Sequence, residues 1–280
     1  MSLIGAHVSA AGGVYRAIER GEALGCEAIQ IFTKNQLQWR GAPLPDGVCE
    51  RFLKKWGKSR IRRVVAHSTY LINLAGSEKI RKKSIDALAD EVIRCDQLGI
   101  DDLVLHPGSH RGDGLETGIE RIVRSLESLF ERTDGLRVRI LLETMAGQGE
   151  GIGASLDELG AVFDRLGGHD RIGICLDTCH LFAAGYEIRT PDSYERLVGR
   201  VDRLFGTGNI GCWHLNDSKE KKGTRKDRHQ HIGAGEIGME PFGRIVADAR
   251  WADVPCILET PKEEQGDMRN LSLLRKLRGF

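Results

Sequence analysis

The chain has no CxxC pair, and its seven cysteines are an odd number. That excludes a cysteine-built zinc knuckle and argues against a disulfide framework, so reduced thiols and a cytoplasmic setting are expected. No apolar run approaches the roughly 20 residues that span a bilayer. The segment 1–7 has no basic region leading into an apolar stretch, so no signal peptide is expected. No GxGxxG follows a strand-like run, which removes the usual sign of a dinucleotide-binding open sheet. Excess charge is missing too. With 41 basic and 40 acidic residues the net charge is +1, so any polyanionic partner must be met locally. The one dense basic stretch is Lys219, Lys221, Lys222, Arg225, Lys226 and Arg228. Taken alone, such a run is usually a solvated loop.

What is present is an alternation of short apolar runs with helical stretches. The runs fall at 3–8, 27–32, 61–66, 102–105, 138–142, 172–176, 210–215 and 254–258. Their length and β-branched content predict buried strands. Residues 78–98 place Ile80, Ile85, Leu88, Val92, Ile93 and Cys95 broadly on one side at helical spacing. Residues 155–166 open with Ser155 followed by Glu158, the pattern of a capping box. Eight strands alternating with helices predict an α/β fold, a (β/α)8 TIM barrel formed by one domain over 1–280. Periodicity alone leaves a doubly wound open sheet as the alternative.

His7, His67, His106, Glu143, Asp177, His214 and Glu259 each fall at or just after the end of one of these runs. In a parallel barrel those ends converge on one face, where active sites are assembled from several strands. Two loops offer more donors: His180 stands three residues after Asp177, and in Asp227-Arg228-His229 two ligand types alternate, so an extended backbone points them the same way. Imidazole and carboxylate without clustered thiolate suit zinc or manganese. Cys175 and Cys179 flank Asp177 at the wrong spacing for a zinc knuckle and are expected to be buried thiols. Five histidines (67, 106, 180, 214 and 229) with four carboxylates are too many donors for one tetrahedral ion and suit two or three. Three divalent ions against four carboxylates leave a surplus of about two positive charges, which suits an anion such as phosphate. A metal-dependent hydrolase is the expectation.

At these residues the sequence resembles the endonuclease IV family of abasic-site DNA-repair nucleases, over essentially its whole length. The matching stretches are 67–74 (HSTYLINL), 173–180 (GICLDTCH), 213–219 (WHLNDSK) and 227–229 (DRH), with 5–13, 32–36, 106–110 and 143–149 also similar. The resemblance implies three zinc ions, with manganese as an alternative at one position. His67 and His106 would hold the first, and Glu143 would bridge it to the second. Asp177, His214 and Glu259 would complete the second ion's shell, and His180, Asp227 and His229 would hold the third. His7, His110 and His231 are then either supporting residues behind the ligands or structural.

The resemblance further implies hydrolysis of the phosphodiester 5′ to abasic sites in duplex DNA, giving a 3′-hydroxyl and a 5′-deoxyribose phosphate, with trimming of blocked 3′ ends. Glu143 would be the catalytic carboxylate. The protein would act as a monomer, cytoplasmic and associated with the nucleoid. Bending DNA commonly uses apolar wedges, a role open to Tyr70 and Leu71 after His67. Asn35, Gln36 and Trp39 would line the groove, and Lys219 and Arg228 would track phosphates. Leu37 stands where relatives commonly carry arginine, so an apolar insertion would replace a guanidinium contact. Two rivals stay open. One is a sugar isomerase or epimerase, since barrels with such metal sites serve those reactions as well. The other is a damage-binding module with structural zinc, which a cysteine-free cluster at a barrel mouth disfavours.

Overall fold

The computed structural model describes residues 1–279. Eight parallel strands close into a barrel: β1 Leu3–His7, β2 Ala28–Ile31, β3 Arg63–His67, β4 Asp102–Leu105, β5 Arg139–Glu143, β6 Ile172–Asp177, β7 Ile210–His214 and β10 Pro255–Leu258. Each pairs with its sequence neighbours around the ring, and β10 closes onto β1 through Leu3↔Pro255. The remaining strands, β8 Asp217–Ser218 and β9 His229–Gln230, form a separate antiparallel ribbon above β7. Every barrel strand overlaps its expected run. The strands are apolar on both sides because one side fills the barrel and the other meets the helices.

The barrel interior is a small closed core of Leu3, Ala28, Val65, Val104, Leu141, Cys175, Cys212 and Ile257, one residue from each strand. A much larger core lies between the barrel and its helices, with Trp213, Trp251, Phe52 and Phe242 among its fully buried side chains. Since side chains two apart along a strand share a face, the next inward layer is fixed by the first. Counting two residues onward from 28, 65, 104, 141, 175, 212 and 257 gives Gln30, His67, His106, Glu143, Asp177, His214 and Glu259. One register therefore packs the barrel and aims the chemistry. On β1 the same count passes through Gly5 to His7. A Cβ at Gly5 would stand 1.7 Å from the Ala28 carbonyl oxygen, so only glycine permits this approach of β1 to β2, which sets His7 beside Gln30.

Two local expectations are corrected, and one element is new. In the helix Glu78–Gln97, Ile85, Leu88, Val92 and Cys95 are buried, but Ile93 is exposed and Ile80 only half-buried. The apolar stripe is narrower than the sequence suggests. Ser155 caps the helix Leu156–Arg165 by accepting from the Asp157 amide, yet Glu158 reaches past it to accept from Gly153 (2.7 Å) and Ala154 (3.1 Å). Glu158 thus clamps the preceding loop and closes no capping box. The ribbon β8–β9 is absent from the sequence expectation altogether, and it carries Asp227 and His229 to the mouth. Cys175 and Cys179 are buried as expected, and burial pushes the Cys179 thiol up to about 12.

Candidate metal centre

Nine expected donors meet at the C-terminal mouth of the barrel in three adjoining groups. The first is His67, His106 and Glu143; the second Glu143, Asp177, His214 and Glu259; the third His180, Asp227 and His229. Within each group the nearest donor atoms lie within 4.8 Å of one another. Glu143 belongs to two groups because its oxygens face different ways. Oε2 is 3.1 Å from His106 Nε2 and 3.3 Å from His67 Nε2, while Oε1 is 3.0 Å from His214 Nδ1. Asp227 is divided likewise, with Oδ2 at 3.3 Å from His180 Nε2 and Oδ1 at 3.1 Å from His229 Nε2.

Short helices and loops finish what the strands begin. Asp177 ends β6 and caps the helix Thr178–Ala184, its Oδ1 accepting from the His180 amide (2.8 Å). This cap places His180 one turn in and facing Asp227. Asp177 Oδ2 accepts from Asn216 Nδ2 (2.7 Å), and Asn216 Oδ1 accepts from the Glu259 main-chain amide (2.8 Å), so one side chain ties the Asp177 carboxylate to the backbone that bears Glu259. Thr144 Oγ1 accepts from the Asp177 amide (2.9 Å). Three imidazoles are oriented by main chain: Nδ1 of His67, His180 and His229 lies 2.8, 2.7 and 3.1 Å from the carbonyls of Ser68, Thr144 and Glu259. A carbonyl only accepts, so the proton sits on Nδ1 and Nε2 is left as the inward lone pair. Ring nitrogens of metal-binding histidines are held in this way.

Electrostatics agree with a cation site. Burial opposes charge on Glu143, yet His214 and His106 hold its carboxyl well below the usual range. Burial also opposes protonation of His180 and His214. The charge of Asp177 and hydrogen bonds to Asp227 and Glu143 nevertheless carry His180 well up, and the charges of Glu259 and Glu143 do the same for His214. Against burial, its hydrogen bond to Asp227 and the charge of Asp177 raise His229 to about 9. The carboxylates therefore demand positive charge in a buried space. Nε2 of His180 and Nε2 of His229 are buried and face one carboxylate between them, Asp227, at 3.3 and 3.1 Å, an arrangement that a shared cation would satisfy. Histidine and carboxylate donors, oriented tautomers and inward nitrogens turned on shared carboxylates fit divalent metal ions.

The other expected residues are placed as follows. His7 touches Gln30 (2.9 Å) and Glu259 (3.4 Å), His231 bonds Asn270 (2.9 Å) and His110 accepts from the Gly114 amide (3.2 Å); none of the three joins a donor group. Tyr70 is half exposed with its ring 5.4 Å from that of His67 and 5.6 Å from that of His106, while Leu71 is half-buried. Leu37 is 69% exposed. Its amide donates to Asn35 Oδ1 (2.9 Å), and Thr69 Oγ1 donates to the neighbouring Gln36 carbonyl (2.5 Å), so the loops bearing Leu37 and Tyr70 are tied together. Asn35 and Gln36 border a cavity of about 770 Å³ with His7 and Phe32. Trp39 is half-buried and borders a different cavity, with Arg40, Lys83, Asp86 and Ala87. In the basic stretch Lys222 pairs with Glu187 and Lys226 with Glu220, whereas Lys219, Lys221, Arg225 and Arg228 form no ion pair among the described residues. Sequence reasoning missed Gln30, Thr144 and Asn216. The two-residue register that marks six of the nine candidate donors marks Gln30 as well.

Residues 18–277 match the family model of xylose isomerase-like TIM barrels. A probable endonuclease 4 of Trichlorobacter lovleyi is 45% identical over 277 residues, covering 98% of this chain and 99% of that one. A probable endonuclease 4 of Chloroflexus aurantiacus is 46% identical over 280 residues, covering 99% and 98%. The crystal structure of endonuclease IV from Thermus thermophilus superposes with a TM-score of 0.87 at 35% identity, covering 98% of each chain. A D-tagatose 3-epimerase-like protein superposes with a TM-score of 0.73 at 16% identity, covering 99% of this chain and 97% of that one, a likeness of fold alone. With full-length relatives of this identity and this arrangement at the barrel mouth, the chain belongs to the endonuclease IV family of xylose isomerase-like TIM barrels.

Proposed function

We propose that this chain is a zinc-dependent endonuclease of DNA repair, one domain over its 280 residues, that cuts the phosphodiester 5′ to abasic sites in duplex DNA. It leaves a 3′-hydroxyl and a 5′-deoxyribose phosphate, and it trims blocked 3′ ends. The observation that carries this reading is the set of three adjoining donor groups, two of them sharing Glu143. His67, His106 and Glu143 would hold one ion; Glu143, Asp177, His214 and Glu259 a second; His180, Asp227 and His229 a third. Zinc suits these donors, with manganese as the alternative at one position. When bound, such ions supply an activated water near neutral pH and offset charge on phosphate oxygens.

The chain's own residues do the positioning. Carbonyls of Ser68, Thr144 and Glu259 set three imidazoles, and Asn216 sets the Asp177 carboxylate and the Glu259 backbone, so little rearrangement is needed when a phosphate enters. Leu37, Tyr70 and Leu71 stand at or beside the mouth as wedges, and Asn35, Gln36 and Trp39 flank them. Lys219 and Arg228, exposed and without a carboxylate partner among the described residues, take flanking phosphates. An unpaired position opens the stack most cheaply, which favours an abasic nucleotide over an intact one.

The test is a labelled duplex with one abasic analogue, incubated with protein whose metal content has been measured. Incision on the 5′ side, with about three ions per chain, is the expected result; an intact duplex with fully loaded protein overturns the reading. Leu37 gives a second expectation. Burying a leucine side chain contributes about 1.5–3 kcal/mol, so Leu37→Asp should raise KM for the abasic duplex at least about tenfold. Because Leu37 belongs to no donor group, kcat at saturation should stay within about twofold. Steady-state kinetics on wild type and variant decide it: an unchanged KM removes Leu37 from the DNA contact.

A further inference from the structure

One fully buried side chain touches two of the four donors in the central group and is a ligand to none. The Gln30 amide nitrogen donates to Glu259 Oε1 (2.6 Å) and lies 2.9 Å from His7 Nδ1, while its oxygen is 2.8 Å from His214 Nε2. The direction of these bonds follows from chemistry. A carboxylate only accepts, so the amide nitrogen must face Glu259, and the oxygen is left for His214. His214 then carries its proton on Nε2, and its Nδ1 lone pair faces Glu143 Oε1 (3.0 Å) and Glu259 Oε2 (3.3 Å). This is the reverse of His67, His180 and His229, where Nδ1 meets a backbone carbonyl and Nε2 points inward. Those three are oriented by main chain, which any sequence supplies. His214 is oriented by a side chain.

We propose that Gln30 is a positioning residue for the central donor group, selecting the His214 tautomer and holding Glu259 against it so that both serve one ion. The proposal rests on the reading of the mouth as a metal centre. His7 has a defined part in it. It pairs with Gln30 in register across β1 and β2, and as the second acceptor for the amide it keeps Gln30 from rotating away from Glu259. A strand-end histidine that belongs to no donor group is thereby accounted for.

Gln30→Met keeps the volume and removes both donor and acceptor. Under competition with a chromophoric zinc chelator, one zinc of the variant should bind 10- to 100-fold more weakly, the range for lost orienting partners, with the others unchanged. Incision by the variant should recover at high free zinc, with the zinc dependence displaced by the same factor. A purely structural loss would lower thermal stability without that recovery. On the wild-type protein, long-range ¹H–¹⁵N spectra of the zinc-loaded form should show His214 with its proton on Nε2, opposite to His67, His180 and His229. This second measurement stands even if the variant does not fold. Unchanged zinc affinity in Gln30→Met, or a His214 that binds zinc through Nε2, overturns the proposal. Wild-type protein that takes up no zinc overturns the metal reading beneath it instead.

Discussion

Replacing Glu143 with glutamine should lower kcat for abasic-site incision on the order of 10⁴-fold while binding of the abasic duplex stays measurable. The change is isosteric and buried, so the barrel keeps its shape. The new amide has one acceptor where the carboxylate had two. Glu143 needs both: Oε2 faces His67 and His106, and Oε1 faces His214. Whichever way the amide turns, one side presents N–H groups to imidazole nitrogens that should face a cation. Losing one preorganised electrostatic contact commonly costs 10²–10³ in kcat, and here the damage reaches two donor groups at once. The wedges proposed at Leu37 and Tyr70 and the basic side chains of the 219–228 loop are untouched, so affinity for the duplex should survive. Single-turnover incision beside a gel-shift titration separates the two effects. Near-normal turnover would show that Glu143 is not shared between ions.

The reason so much of this centre is legible in the sequence is the register of the barrel. Six of the candidate donors lie two residues beyond an inward-facing position, so the pattern that packs the interior also aims them. A sequence that shows where each strand ends therefore shows which histidines and carboxylates converge, before any contact is known. Gln30 obeys the same count and was passed over because glutamine carries no metal signal by itself. A polar side chain inside the apolar run 27–32 is the sign that could have found it, since buried amides are nearly always fully bonded.

Other parts of the centre leave no trace that composition or spacing can register. Thr144 acts largely through its carbonyl, which every residue possesses, and only the structure shows it beneath His180. Asn216 follows β7, the strand that separates β6 from β10 in the barrel, and bonds Asp177 at the end of one and the Glu259 main chain at the end of the other, partners far apart in the chain. The ribbon β8–β9 is two residues long on each side, too short for any periodicity. Its consequence was visible all the same, because alternation in Asp227-Arg228-His229 already put both donors on one side. The misjudged edges, Ile93 and Glu158, lie where exposure or a loop clamp overrides local preference.

Metal-stripped protein should lose stability as pH rises from about 6.5 to 9, and the metal-loaded form should not. Without an ion, the buried carboxylates draw protons onto the histidines. His229 is the clearest case: its pKa stands at about 9 in the folded chain against an ordinary 6.5. A raised histidine pKa stabilises the fold fully below the unfolded value, and that contribution disappears as pH climbs through the folded one. Glu143, Asp227 and Glu259 are shifted the other way, and their contributions are lost only in acid, outside this window. For His229 alone the loss is on the order of 3 kcal/mol, which for a chain of this size moves Tm by roughly 10 °C. His67, His180 and His214 shift in the same direction and add to it. An ion bound at these nitrogens replaces the protons, so loading with zinc should cancel the dependence and release protons as it does so. Thermal melts of stripped and loaded protein at steps from pH 6.5 to 9 should therefore show a gap in Tm that widens with pH. A gap that stays constant would mean that the histidines are not exchanging protons for metal, and the three donor groups would lose their meaning as a cation site.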